Sequence, residues 1–347
     1  MLIHELDTPT VVCDLDKLAR NIQAMADHCR QLDIPLRGHT KSNKIPEIAH
    51  MQLASGAQGI CCQKVGEAEV MVAAGIKDIL IPYNIVGPLK VARLMRLARR
   101  ADITVAVDSP ETARGISAEA KQSGGSVRVL IELDTGGGRC GAQSPQAAQE
   151  LARQIVELPG IDLGGVMTYP SRPAAGPFLQ ETVALFQADG LPIQVISGGG
   201  TGHEAVSKEL GCTETRSGSY VWEGQSRIAQ VEDLSDDRCP LRVITTVVSV
   251  PAAGRIIVDG GIKTFSVFPS LPNTRCLEQP EIVMRSMSVE HGHVDVSASS
   301  RRFKVGDRLT FIPRHQESVL NLHNELVGYR GEQVEVIWPV QGRGKVQ

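Results

Sequence analysis

Apolar positions between residues 8 and 235 follow two alternating rhythms. Short unbroken apolar runs are each followed by a longer stretch whose apolar residues recur three and four apart. Thr10-Val11-Val12-Cys13 is the first run, and Asp14 is placed to cap a helix carrying Leu18, Ile22 and Met25 on one stripe. Residues 56–62, 78–82, 103–107, 127–133, 162–167 and 193–197 repeat the strand signature. Residues 65–74, 88–99, 110–121, 145–158 and 177–188 repeat the helical one, with Ser144 as cap and Pro145 in the first turn of the 145–158 helix. Because the strands do not alternate polar with apolar residues, they are expected to be parallel and covered by helices on one side. Their number predicts an α/β fold closed into a (β/α)8 TIM barrel over residues 8–236. Such a barrel gathers its active site just past the strand ends, where this chain carries Lys41, Arg139, Tyr169, Gly198 and Ser217.

After about residue 238 the helical rhythm stops. Strand-like runs at 241–250, 255–258, 282–289, 308–312 and 334–340 are separated by Gly, Pro and Asp turns. Residues 237–347, together with 1–7, therefore read as a mainly β domain. The acidic stretch Glu232-Asp233-Leu234-Ser235-Asp236-Asp237 marks the boundary.

Composition narrows the class without changing this picture. With 42% hydrophobic and 22% charged residues, the 347-residue chain is ordinary for a globular protein. The net charge of -3 and the lack of a basic tract argue against nucleic acid as a partner. No run is apolar and long enough to span a bilayer, and the N-terminus does not open like a secretory signal, so a cytoplasmic protein is expected. The eight cysteines are scattered without paired zinc-ligand spacing and read as reduced, mostly buried side chains.

Four segments carry candidate chemistry. Arg37-Gly38-His39-Thr40-Lys41-Ser42-Asn43-Lys44 packs several cations around Lys41, a candidate Schiff-base lysine, although an isolated loop lysine is ordinarily a solvated surface residue. Ser197-Gly198-Gly199-Gly200-Thr201-Gly202 follows an apolar strand and precedes a helical stretch, as in an anion cradle, and Ser217-Gly218-Ser219 offers it a second wall. It lacks both the Walker and the dinucleotide spacing. Arg139, in a glycine-rich loop, can donate to an anionic oxygen. Tyr169 can pack beside a flat ring or in the core. His315 and Glu317, two apart after a strand, share a side of an extended chain and form either a divalent-ion pair suited to Mn, Mg, Co or Zn, or a solvated loop. Together the lysine and the glycine cradle suggest a pyridoxal-phosphate enzyme.

Read in order, these segments resemble the fold type III pyridoxal-phosphate enzymes of the D-threonine aldolase and D-serine dehydratase group. The likeness runs from Thr8-Pro9-Thr10 through His39-Thr40-Lys41, the Ile60 to Glu69 segment, Asp134 to Gly141, Met167 to Pro170 and Gly198 to Thr201. It continues through Val258 to Gly261, Glu290 to Gly292, the His315 loop, Asn321 to His323 and Arg343 to Lys345. The resemblance implies an alanine-racemase-like barrel with Lys41 holding the cofactor, together with His39, and Arg139 facing its phenolic oxygen. Tyr169 would lie at the ring, and Gly199, Gly200, Thr201, Ser217, Gly218 and Ser219 at the phosphate. It also implies a metal on His315 and Glu317 and a homodimer. Two positions depart from the group: Asn43 stands where a second histidine is common, and Glu317 where aldolases carry Asp and dehydratases Cys. The carboxylate favours an aldolase releasing glycine and an aldehyde from D-3-hydroxy amino acids such as D-threonine. The alternative is a dehydratase giving a keto acid and ammonia from D-serine or 3-hydroxy-D-aspartate. A racemase would leave the metal loop without a task, and a non-catalytic cofactor carrier would not need the second domain. Tyr83, Arg172 and Trp222 are candidate substrate contacts.

Overall fold

The first 217 residues form nine strands, seven of them from the apolar runs, in a computed structural model that describes residues 1–224, 235–267 and 274–347. They are β1 (Thr10–Asp14), β2 (Leu36–His39), β3 (Gly59–Cys61), β4 (Asp78–Ile81), β5 (Asp102–Val107), β6 (Val127–Leu133), β7 (Ile161–Thr168), β8 (Val195–Gly199) and β9 (Glu214–Ser217). The intervening helices are α1 (Leu15–Gln31), α2 (Pro46–Ala54), α3 (Val65–Ala73), α4 (Pro88–Ala98), α5 (Pro110–Ser123), α6 (Pro145–Val156), α7 (Gly176–Ala188) and α8 (Glu204–Glu209). Strands β2 to β9 pair in parallel, each with the next, and β9 pairs with β2 to close an eight-stranded barrel. Leu36–His39 and Glu214–Ser217 complete the count; their charged or small residues hide them from a hydrophobicity pattern.

The described residues fall into two compact units. A barrel unit holds Ala24–Lys41, Pro46–Gly218 and Lys345–Gln347, and a sheet unit holds Met1–Gln23, Ser42–Ile45 and Ser219–Gly344. In the barrel unit, one face of each strand meets the helices through residues such as Ile60, Ile79, Val105, Val129, Ile131 and Val166. The other face fills the lumen with Cys61, Leu80, Ala106, Leu130 and Met167. Both faces are thus apolar, which is why the strands read as continuous runs. The lumen is not apolar all round. On the β2, β8 and β9 side it holds Arg37, Ser197, Glu214 and Arg216 in one hydrogen-bonded chain. Gly59 makes this possible, because a Cβ there would collide with the Arg37 guanidinium and with Asp78.

Local signals place the outer helices as expected. Asp14 Oδ1 accepts from Lys17 N–H at 3.1 Å. Ser144 Oγ accepts from Ala147 N–H at 3.1 Å with Pro145 behind it, and Ser109 does the same for α5.

In the sheet unit, β10 (Leu241–Ala252), β11 (Arg255–Val258), β12 (Thr274–Cys276), β13 (Val283–Met287), β14 (Gly292–Asp295), β15 (Arg308–Pro313), β16 (Glu325–Arg330) and β17 (Gln333–Pro339) join β1. The order is β13-β14-β11-β10-β1-β16-β17, with β15 pairing both β10 and β12. Strand β1 lies antiparallel to β10 and parallel to β16, and Leu6, Val12, Ile244, Val327 and Tyr329 form a core beside it. Residues 10–14 and 42–45, which the chain's rhythm groups with the barrel, therefore belong to the sheet unit. A strand's own sequence does not record its partners. Of the acidic boundary stretch, Glu232, Asp233 and Leu234 lie outside the described residues. All eight cysteines are unpaired, and all but Cys140 are buried. Among the described residues, no helix is long and apolar enough to cross a membrane.

Candidate active site at the barrel mouth

Parallel strands in a closed barrel all end on one face, so the residues just past their C-terminal ends meet around one opening. Strand β2 ends at His39 and runs into the tight turn Thr40–Ser42, which carries Lys41. Gln63 follows β3, Arg139 sits in the loop after β6, and Tyr169 follows β7. With Arg216 of β9 they line a single pocket. The structure thus brings together Lys41, His39, Arg139 and Tyr169, all picked out in the sequence, and adds Gln63 and Arg216.

Lys41 is half-buried, and among the described residues its Nζ has neither a hydrogen bond nor an ion pair. His39 is 9% exposed. Burial, the neighbouring Lys41 and the buried Arg216 hold its imidazole well below the ordinary 6.5, so the ring is neutral near pH 7. Gln63 orients it. The Gln63 amide nitrogen donates to Pro82 O at 3.4 Å, which turns the amide oxygen toward His39 Nε2, 3.2 Å away. That oxygen can only accept, so Nε2 carries the proton.

Arg139 stretches over the Tyr169 ring, 5.1 Å from its centroid, and its Nη2 donates to Glu132 Oε1 at 3.1 Å. Glu132 stands on β6 two residues after the lumen-facing Leu130 and is almost fully buried, with Oε2 lacking a hydrogen-bond partner. The Arg139 loop is braced by Asp134, whose Oδ1 accepts from Gly138 N–H at 2.9 Å and Gly136 N–H at 3.2 Å. The Gly138 bond is the largest cause of its lowered pKa. A long cation is therefore carried on a loop whose turn is fixed from its own base.

On the other side of the mouth, the glycine turn has the shape of a cradle. Gly199 has φ +157, and a Cβ there would strike the backbone of Arg216; Gly200 has φ +118. Its donors, however, already have partners. Gly200 N–H donates to Arg216 O at 2.8 Å and Gly218 N–H to Thr201 Oγ1 at 3.2 Å. The buried Glu204 carboxylate accepts from Gly202 N–H at 3.0 Å and from Ser217 Oγ at 2.6 Å. Glu204 thus occupies these donors, and any anion reaching them would have to displace it. The expected helix behind the turn, α8, has only six residues, so its dipole adds little. Gly199, Gly200, Thr201, Ser217 and Gly218 belong to the barrel unit. Ser219 opens the sheet unit.

The metal pair is positioned differently from the sequence expectation. His315 is extended, but Glu317 lies in the helix Gln316–Leu320, so residues two apart do not share a side there. His315 caps that helix: its Nδ1 accepts from Ser318 N–H at 3.3 Å. A neutral imidazole whose Nδ1 lone pair is used in this way has its proton on Nε2, leaving no lone pair in the plane for an ion. Among the described residues, no group of three His, Cys, Asp or Glu side chains is arranged to hold a metal. His315 and Glu317 alone would leave most positions of a divalent ion to water or a ligand.

Among the other singled-out residues, Asn43 is buried in the sheet unit with Oδ1 accepting from Ile45 N–H at 3.0 Å. Trp222 is buried there too, donating Nε1–H to Ser42 O at 2.8 Å. Tyr83 lines a cleft adjoining the mouth, whereas Arg172 lines neither cavity. Sequence reasoning missed Gln63, Glu132, Glu204 and Arg216. A usable signal existed for two of them, since Glu214-Thr215-Arg216-Ser217 alternates in period two and Glu132 interrupts an apolar strand.

Comparison with known proteins gives matches over both regions. The family described as Alanine racemase, N-terminal domain matches residues 13–225, and the one described as Putative serine dehydratase domain matches 240–329. The D-threonine aldolase of Arthrobacter sp is 36% identical, covering 99% of this chain and 94% of that protein. The 3-hydroxy-D-aspartate aldolase of Paracoccus denitrificans (strain Pd 1222) is 32% identical, covering 98% and 93%. The crystal structure of D-threonine aldolase from Filomicrobium marinum superposes with TM-score 0.92 at 32% identity, covering 99% of this chain and 97% of that one.

The neutral His39 makes a prediction about acid stability. Its folded pKa lies below the ordinary 6.5, so below that pH the unfolded chain takes up a proton that the folded one refuses. Stability from this source is full above pH 6.5 and falls on acidification by up to about 1.4 kcal/mol per pH unit. Thermal melts between pH 7 and 5 are expected to drop less steeply for His39→Gln than for the unsubstituted protein. Parallel drops would remove the ring as the source.

Proposed function

This chain belongs to the fold type III pyridoxal-phosphate lyases, in the group of the D-threonine and 3-hydroxy-D-aspartate aldolases, and we propose that it cleaves D-configured 3-hydroxy amino acids into glycine and an aldehyde. The observation that carries this reading is Lys41 Nζ, unpaired among the described residues in a pocket shared with the neutral His39 and the cations Arg139 and Arg216. An unpaired amine is available to a carbonyl carbon, where a salt-bridged one is not.

When bound, pyridoxal phosphate supplies an electron sink for the pair released as a bond at the substrate α-carbon breaks. Lys41 would hold its aldehyde carbon. Gly199, Gly200, Thr201, Ser217 and Gly218 would hold its phosphate, with Arg139 at the phenolic oxygen. His39, kept neutral and turned by Gln63, would flank the cofactor without adding charge beside Lys41. Tyr169 and Arg139, stacked on each other, line the mouth where the substrate would enter. Carbon–carbon cleavage is favoured over water loss by the carboxylate at Glu317, where dehydratases of the group carry a sulfur ligand.

Borohydride reduction of the cofactor-loaded protein is expected to tag Lys41, and Lys41→Ala to lose both the tag and at least ~10³-fold in kcat, the scale seen when one member of a covalent catalytic unit is removed. A panel of D-3-hydroxy amino acids should yield glycine and aldehyde. Keto acid and ammonia would instead establish the dehydratase.

We also propose that His315 and Glu317 bind a hard divalent ion such as Mn, Mg, Co or Zn, with water filling its other positions. To do so His315 must surrender its cap bond, worth about 1 kcal/mol, so binding is weak and reversible. Manganese paramagnetic resonance titrations should give one weak site that His315→Ala abolishes; an unchanged isotherm in that variant would place the ion elsewhere. A homodimer is expected as well, sedimenting at twice the monomer mass, and a monomer at micromolar concentration would refute it.

A further inference from the structure

Beside the mouth, sharing Gln63, Pro82 and Arg139 with it, is a second cleft walled by Tyr83, Asn84 and Lys90. Its charge is one-sided. Lys90 stands in the first turn of α4, and Lys64 Nζ lies 3.6 Å above the centre of the Tyr83 ring. No carboxylate lines the cleft, and among the described residues neither Lys64 nor Lys90 has an acidic partner. Asn84 Oδ1 is buried with no donor in reach.

These cations are not there for the cofactor phosphate. The cleft is built past β3, β4 and β6, and the glycine turn past β8 and β9. In the closed order β2 to β9, β4 and β8 stand four strands apart, on opposite sides of the mouth. A count of charges then separates the candidate substrates. Glu132 offsets Arg139, leaving Lys90 on the cleft wall and Lys64 beside it on the Tyr83 ring. The α-carboxylate of any amino acid satisfies one of them, and a second anion is required for the other. A methyl side chain, as in threonine, would instead leave that ammonium without an anionic partner.

Resting on the aldolase reading above, we propose that this cleft selects substrates with an acidic side chain: D-3-hydroxy dicarboxylic amino acids, with Lys90 as the specificity-determining cation. Relatives acting on threonine and on hydroxyaspartate match this chain about equally, so the cleft's charge decides where resemblance does not.

The test uses the cofactor-loaded protein and two readouts. In turnover, kcat/KM for D-3-hydroxyaspartate is expected to exceed that for D-threonine by at least ~10-fold. Lys90→Gln should lower the former about 10-fold, mainly through KM, and Lys90→Glu more, while D-threonine cleavage stays within about 2-fold. In binding, followed by the absorbance of the bound cofactor, D-aspartate should bind about 10-fold tighter than D-alanine, and Lys90→Gln should erase the difference. Equal turnover and equal binding of the two classes, or a Lys90 effect common to both, overturns the proposal. If neither hydroxy amino acid is cleaved but D-aspartate is still preferred through Lys90, the aldolase reading falls and the anionic cleft stands.

Discussion

The barrel depends on a chain of ion pairs through its lumen. Arg37 Nε donates to Glu214 Oε2 at 2.9 Å, Ser197 Oγ donates to Glu214 Oε1 at 2.5 Å, and Arg216 Nη1 donates to Ser197 Oγ at 2.5 Å. Arg216 Nη2 finishes on Thr168 O at 2.7 Å, and Arg37 reaches back to Asp78 at 2.6 Å. Five strands, β2, β4, β7, β8 and β9, are tied by side chains as well as by their backbone ladder, around the seam where the barrel closes. Unmatching one buried charge in such a chain costs about 3–5 kcal/mol, a large part of a domain's net stability. The same chain carries a permanent cation to the floor of the pocket, where it adds to the burial and the Lys41 charge that hold His39 neutral. Closure of the fold and electrostatics of the site therefore share one set of residues.

This explains how much could be read from the sequence. Apolar runs with helical stretches between them specify parallel strands under helices, and seven of the nine N-terminal strands follow from that pattern alone. The lumen strands that escaped, β2 and β9, are the ones carrying Arg37, Glu214 and Arg216, whose burial depends on partners far away in the chain. The site followed the same division. Lys41, Arg139 and Tyr169 could be located because barrel topology assigns a place to whatever follows a strand. Gln63 and Glu132 act through orientation and charge in three dimensions, and a one-dimensional pattern has no place for them. The His315 spacing misled for a local reason: the histidine side chain caps a helical turn, and an extended chain was the wrong backbone on which to count.

Carboxylates near the mouth are few, and each is already committed. Glu132 meets Arg139, Glu204 meets Ser217 and the Gly202 amide, and Glu214 is held by Arg37. The cations are less committed, since Lys41, Lys64 and Lys90 lack acidic partners among the described residues. The opening therefore holds its uncommitted positive charge on the β2 to β4 flank, where the carboxylates of a ligand would meet it. On the opposite flank the Glu204 carboxylate takes the donors of the glycine turn, so the shape of that turn is kept by protein bonds alone.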